Sequence, residues 1–277
     1  MAIVTFWSNE KRQIGQTLTA AAVATYMGLE HNSKMLLLST AYGDQALEQA
    51  FSIKSKEKKS LFALSNNKNI DLDSGIAGLA KLTFANRLEP KLIRDYTKVA
   101  FKDRLEVLFA PNIGIDYEKL KNEYKEIIMK ANNYYEYVFV DLNKGLDNEL
   151  TREILEMSDV IVITLEQRLS KLQQFTELIA KEPLLQESNI LVVLGKYDKN
   201  SKCNLKNVEK YLKLKRGVYA VPYNTLYLEA SDDGTVPDFF LRVKLSGQDD
   251  KNGVFMAEIK KIADRIIYKI QERQMNM

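Results

Sequence analysis

Seven short apolar runs are spaced along the chain: Ala2–Trp7, Lys34–Ser39, Leu105–Phe109, Tyr137–Asp141, Asp159–Thr164, Ile190–Gly195 and Val218–Val221. Most are continuous rather than alternating, which marks strands buried on both faces of a parallel sheet. Patterns of helical period follow most of them. Residues Tyr117–Asn132 place Leu120, Tyr124, Ile127, Ile128 and Ala131 on one side. Residues Gln167–Lys181 do the same with Leu172, Phe175, Leu178 and Ile179. A long last helix is predicted over Gly253–Gln274, with Phe255, Met256, Ile259, Ile262, Ile266, Ile267 and Ile270 on one broad face. A face that wide fits core packing better than a membrane surface. Strand–helix alternation with right-handed crossovers predicts a doubly wound α/β fold: a mostly parallel sheet of about seven strands flanked by helices. The polar stretches Lys54–Lys59 and Ser65–Asp73 read as loops, and neither a long linker nor an internal repeat is visible. Residues 1–277 are therefore expected to form a single domain, with helix 253–274 packed on it.

Composition narrows the classes without choosing one. The 277 residues are 45% hydrophobic and 28% charged, enough for a full core in an ordinary globular chain. A formal charge of +3 is too small to argue for nucleic acid. The single cysteine, Cys203, excludes an internal disulfide and a cysteine-built metal site. The single histidine, His31, is expected on the loop after the first helix, so histidine-ligated zinc and a histidine triad are excluded. No apolar run approaches the roughly 20 residues of a membrane span, and the opening residues lack a basic n-region and a cleavage-site pattern. A cytoplasmic protein is expected, with a peripheral place at the inner face of the membrane as the alternative. Lys206, Lys210, Lys213, Lys215 and Arg216 form a basic cluster, read as a solvated helix face, with nonspecific DNA contact as the sharper alternative. Trp7, Tyr134 and Tyr135 are expected as core or rim aromatics.

The most informative chemistry lies between the first strand and an alanine-rich helix, in Trp7-Ser8-Asn9-Glu10-Lys11-Arg12-Gln13-Ile14-Gly15-Gln16-Thr17. A phosphate-binding loop uses glycines so that its backbone N–H groups can point at oxygens, and the next helix adds its positive end. A lysine reaches the β and γ phosphates, and a Ser or Thr hydroxyl holds Mg²⁺. Gly15 and Thr17 occupy the places of the last glycine and the magnesium hydroxyl. Gln16 stands where the lysine belongs, and Arg12 and Gln13 stand where glycines belong. Glu10 sets a negative charge beside the candidate anion site. The pattern GxxxxGK(S/T) is thus unmet, and a plain strand–turn–helix with a polar turn competes with a phosphate loop.

Taken in order, the motifs resemble those of the ParA/MinD family of P-loop ATPases, a SIMIBI-type fold whose loop reads KGGxGK(S/T). Lys11, Gly15 and Thr17 match its first, fifth and seventh positions. Leu36–Ala41 occupies the second strand, where the family ends in two spaced aspartates; Ser39 and Ala41 stand there instead. Tyr137–Asp141 resembles the strand that carries the switch aspartate, and Leu142-Asn143-Lys144-Gly145 follows in place of the switch segment. Asp159–Thr164 with Leu165-Glu166 resembles a further strand element, and Ala220–Asn224 with Glu229, Ala230 and Gly234 resembles the late segment near the purine. The degenerate Walker A loop is most similar to that of the TadZ-like proteins of pilus-assembly loci.

The resemblance implies a nucleotide site built from Lys11, Ile14, Gly15, Gln16, Thr17 and Leu18, with Pro222 and Asn224 near the purine. Thr17 and Asp141 would serve Mg²⁺. An aspartate at a strand end also commonly caps the following turn, and Lys11 also reads as a solvated lysine. ATP and Mg²⁺ are expected to bind weakly. The implied function is a catalytically weakened or inactive, dimeric localisation or assembly factor for a Tad-type pilus or secretion system, with Lys11 at the homodimer interface. An active partition-type ATPase and a membrane- or DNA-binding adaptor are the alternatives.

Overall fold

The computed structural model describes residues 1–10, 14–52, 75–111, 117–186, 189–213, 217–247 and 249–275. Lys11, Arg12, Gln13, Lys215, Arg216 and the two loops expected at 54–59 and 65–73 lie outside the described residues. Among the described residues eight strands form one sheet: β1 (Ala2–Trp7), β2 (Met35–Ser39), β3 (Lys98–Phe101), β4 (Leu105–Leu108), β5 (Tyr137–Asp141), β6 (Val160–Leu165), β7 (Ile190–Tyr197) and β8 (Val218–Pro222). Their order is β3-β4-β2-β5-β1-β6-β7-β8. Every pairing is parallel except β3 with β4. The sheet thus holds one more strand than the seven expected. Its addition, β3, is a short antiparallel edge whose first two residues are exposed.

The helices are α1 (Gln16–Glu30), α2 (Ala46–Phe51), α3 (Gly75–Phe84), α4 (Tyr117–Asn132) and α5 (Glu149–Glu156) in the first half of the chain. The second half holds α6 (Leu169–Lys181), α7 (Leu205–Leu212), α8 (Thr225–Asp233), α9 (Val236–Val243) and α10 (Lys251–Met275). They cover both faces of the sheet. Side chains alternate along each strand, so β1 sends Ala2, Val4 and Phe6 to one apolar cluster and Ile3 and Trp7 to the other. The first cluster takes in α1, α2, α8, α9 and α10; the second takes in α3 to α7. Phe255, Ile259, Ile262, Ile266 and Ile270 of α10 are buried in the first. Leu120, Tyr124, Ile127, Ile128 and Ala131 of α4 are buried in the second. Helix α1 is buried almost all round, and its run Ala20–Ala22 with Ala24 lets it lie close on the sheet. Lys206, Lys210 and Lys213 are exposed, on and just beyond α7. No helix among the described residues is long and apolar enough to cross a membrane.

Strand β1 sits in the middle of the sheet. The chain leaves β1 for β2 on one side, and leaves β5 for β6 on the other. A crevice therefore opens at the carboxyl ends of β1, β5 and β6, where a doubly wound sheet binds its ligand.

Candidate functional site

The loop that closes this crevice is shaped by one glycine. Gly15 adopts φ 88°, ψ 18°, a left-handed conformation that a residue with a Cβ disfavours, and it caps the start of α1 without a side-chain hydrogen bond. The first-turn N–H groups of α1 have no intrahelical carbonyl to bond, so they face the crevice as donors with the helix dipole behind them. Ile14, Gly15, Gln16, Thr17 and Leu18 line a cleft of about 250 Å³ together with Asp44, Gln49, Lys144, Lys196 and Asp232. A smaller pocket of about 30 Å³ adjoins it, lined by Gly15, Leu18, Lys196, Val221, Pro222, Tyr223, Asn224, Tyr227 and Leu228. Seven of the sequence-predicted site residues thus converge on one end of the sheet. Ligand sites for drug-sized molecules run from roughly 300 to 1,000 Å³, so the cleft is narrow and the pocket beside Pro222 is nearly shut.

Gln16 lines the cleft at the start of α1. Its side chain is turned inward and is 3% exposed. The two N–H groups of Nε2 face three acceptors, Leu142 O at 2.6 Å, Asp141 Oδ1 at 2.8 Å and Phe6 O at 3.2 Å, so one of them is shared. All three partners are acceptors, which fixes the amide's orientation. Among the described residues the Oε1 atom has no hydrogen-bond partner. The amide therefore joins α1 to the ends of β1 and β5, and no positive charge from this position enters the cleft.

Asp141 is the hub beneath it. Its side chain accepts from Thr17 Oγ1 at 2.9 Å, from Gln16 and, more distantly, from Ser39 Oγ at 3.4 Å. Burial pushes its carboxyl up to about 6, against the lowering effect of the hydrogen bonds from Gln16 and Thr17. Asp44 pushes the same way as burial, and Lys144 pulls it down.

The segment after Asp141 is tied at several points. Leu142 N donates to Phe6 O, Asn143 N to Thr40 Oγ1 and Gly145 N to Ser8 O, each at 3.0 Å. Trp7 Nε1 returns a bond of 3.0 Å to Gly145 O. Trp7 is fully buried, and Tyr135 nearly so.

Two expectations about individual residues change. Glu10 does not face the anion site: its carboxylate accepts from Glu166 N at 3.0 Å and lies 3.7 Å from Lys171 Nζ. Burial raises its pKa. Asn224 lines the small pocket, but its side chain is committed as the N-cap of α8, accepting from Tyr227 N, and donates to Asn252 Oδ1. Sequence reasoning missed Lys144 and Lys196. A lysine one residue past a glycine, at the carboxyl end of a parallel strand, was the available signal for Lys196.

The residues present fit Mg²⁺ and a phosphate tail better than they fit a purine. Thr17 and Asp141 offer hard oxygen ligands 2.9 Å apart. Among the described residues no group of three His, Cys, Asp or Glu side chains forms a metal cage. Mg²⁺ does not require one, since it binds through one or two protein ligands, waters and phosphate oxygens. Bound there, it would supply charge neutralisation to phosphate oxygens.

The fold is that of the ParA/MinD ATPases. Over 96% of its length the chain superposes on 98% of a ParA family ATPase from Chlorobium tepidum, with a TM-score of 0.66 and 18% identity. It superposes on MinD from Pyrococcus horikoshii in complex with Mg-ADP with a TM-score of 0.63, 15% identity and coverage of 97% and 98%. The Aquifex aeolicus MinC:MinD complex gives 0.63, 17% identity and 96% of each chain. No protein-family model and no curated protein matches the sequence.

Proposed function

We propose that this chain is a catalytically weakened protein of the ParA/MinD fold, acting as a dimeric localisation or assembly factor with Tad-type pilus or secretion machinery as its partner class. The observation that carries this is the side chain of Gln16. A working phosphate loop brings a lysine charge to the phosphates from this place. Here the place holds a neutral amide, already committed to Phe6 O, Leu142 O and Asp141. Charge-assisted hydrogen bonds are about twice as strong as neutral ones, so phosphate affinity is low. Turnover suffers more, because phosphoryl transfer depends on positioning and charge stabilisation around the transferred group. Ser39 offers only a hydroxyl where the resembling family has an aspartate.

What remains supports weak, magnesium-assisted ATP binding: Gly15, the first turn of α1 and the Thr17–Asp141 pair. The segment 142–145 is tied to β1 and to Thr40. A switch segment held this way suits a fixed platform better than a cycling motor. The expected behaviour is a small binding heat at millimolar ATP with Mg²⁺, lost in Thr17→Ala. Calorimetry with a parallel thermal-shift series measures it. No heat and no shift in the wild type would overturn the nucleotide site and leave a plain strand–turn–helix.

A further inference from the structure

Strand β7 changes register between Leu194 and Tyr197. Such irregularities re-aim a side chain out of the ladder. The residue turned out is Lys196, in the left-handed region at φ 50°. Before it stands Gly195, where a Cβ would lie 2.1 Å from Ile14 O. The end of β7 is therefore dovetailed into the loop that opens α1. On the other side of the contact, a Cβ on Gly15 would lie 3.5 Å from Lys196 Cγ. The aliphatic stem of Lys196 thus runs along Gly15, the residue that caps α1. Lys196 lines both the 250 Å³ cleft and the small pocket beside it. Among the described residues it makes no ion pair. Lys144 lines the cleft from the side of Asp141.

We infer that Lys196 replaces the missing loop lysine as the cation that anchors the phosphate tail, a role that presupposes the nucleotide site proposed above. The physical need is specific. A polyphosphate in this cleft meets Asp44 and Asp232 on the walls, and position 16 supplies no charge to offset them. Lysine binds phosphate as a compact point charge on a flexible stem, and Lys196 brings that charge to the cleft from the end of β7, two strands from β1. Lys144 is the weaker candidate for this contact, because its charge acts on Asp141 and hence on the metal side of the cleft.

The test uses the full chain with ATP, tripolyphosphate and adenosine as probes, all with Mg²⁺, by calorimetry. Lys196→Asn removes the charge, and asparagine tolerates a left-handed backbone; a thermal melt confirms that the variant folds. Lys196→Arg keeps the charge. Expected is a loss of about tenfold or more in ATP and tripolyphosphate affinity for Lys196→Asn, near-wild-type affinity for Lys196→Arg, and unchanged adenosine binding. Wild-type and Lys196→Asn chains that bind ATP equally would overturn the role of Lys196 and leave the nucleotide site standing. A wild type that binds neither ATP nor tripolyphosphate would overturn both.

Discussion

At the scale of single residues, Asp141 and Gln16 set the character of the site. Burial lifts the Asp141 carboxyl from 3.8 to about 6. A raised acid contributes full stability below its unfolded value and loses it as the pH rises through its folded value. Between pH 4 and pH 7 the loss is about 2 kcal/mol, taking 1.36 kcal/mol for each of about two units and allowing for the part already ionised at pH 4 in the unfolded chain. Asp141→Asn does not titrate. It should therefore gain on the wild type by about 2 kcal/mol between pH 4 and pH 7 in urea unfolding. An offset independent of pH would show that burial does not raise this carboxyl. Gln16→Leu keeps the side chain's bulk and removes its donors, leaving Leu142 O short of a partner and taking one donor from Asp141. A cost of about 1–3 kcal/mol is expected, and no cost would show that the amide does not fasten α1 to the sheet. The candidate residues that the sequence offered were those with a motif position, and among the described residues Ile14 to Leu18, Pro222 and Asn224 line the cleft or its side pocket, with Asp141 beneath Thr17. The inward turn of Gln16 was not readable, because a glutamine can equally face solvent. Lys196 was missed because a lysine after a glycine at a strand end does not by itself announce the register change in β7 on which its place depends.

At the scale of elements, the buried strands and the long helices followed their apolar periods closely. Helix α4 covers the stretch its pattern predicts, Tyr117–Asn132, and α10 extends the predicted Gly253–Gln274 to Lys251–Met275. Strand β3 escaped notice because it is four residues long, begins with a lysine and is half exposed. An edge strand need not carry a continuous apolar run. The junction of β7 with the start of α1 is tighter than any sequence signal suggests. Gly195→Ala would press a methyl group onto Ile14 O. Such overpacking costs about 1–3 kcal/mol. A lowered melting temperature together with weakened ATP binding is expected; an unchanged melting temperature would show that the loop and β7 are not dovetailed. Tyr227 fastens the far side of α1, donating to Leu18 O at 2.6 Å within an aromatic cluster of Phe239, Phe240 and Phe255. Burial raises its phenol well above the ordinary range, as expected of a hydroxyl that serves as a donor.

At the scale of the whole molecule, the proposed platform is a homodimer, with the loop around Lys11 and the segment after Asp141 facing the partner copy. A stable interface of this kind buries at least ~1,000 Å² in total. Light scattering should give a dimeric mass for the wild type and a monomeric one for Lys11→Glu. A strictly monomeric wild type at high concentration, with and without ATP, would leave a monomeric adaptor as the better account. A membrane role through α10 is disfavoured, since its apolar face is spent on the core. The central claim is that this fold has kept its phosphate site while losing its chemistry. Steady-state ATP hydrolysis on the purified full chain, beside a ParA/MinD-fold ATPase with an intact loop, tests it most directly. Removing one charge-stabilising group from such a site costs about 10²–10³ in rate, so turnover at least about a hundredfold below the intact enzyme is predicted. Turnover equal to that enzyme's, and abolished by Thr17→Ala, would contradict the claim.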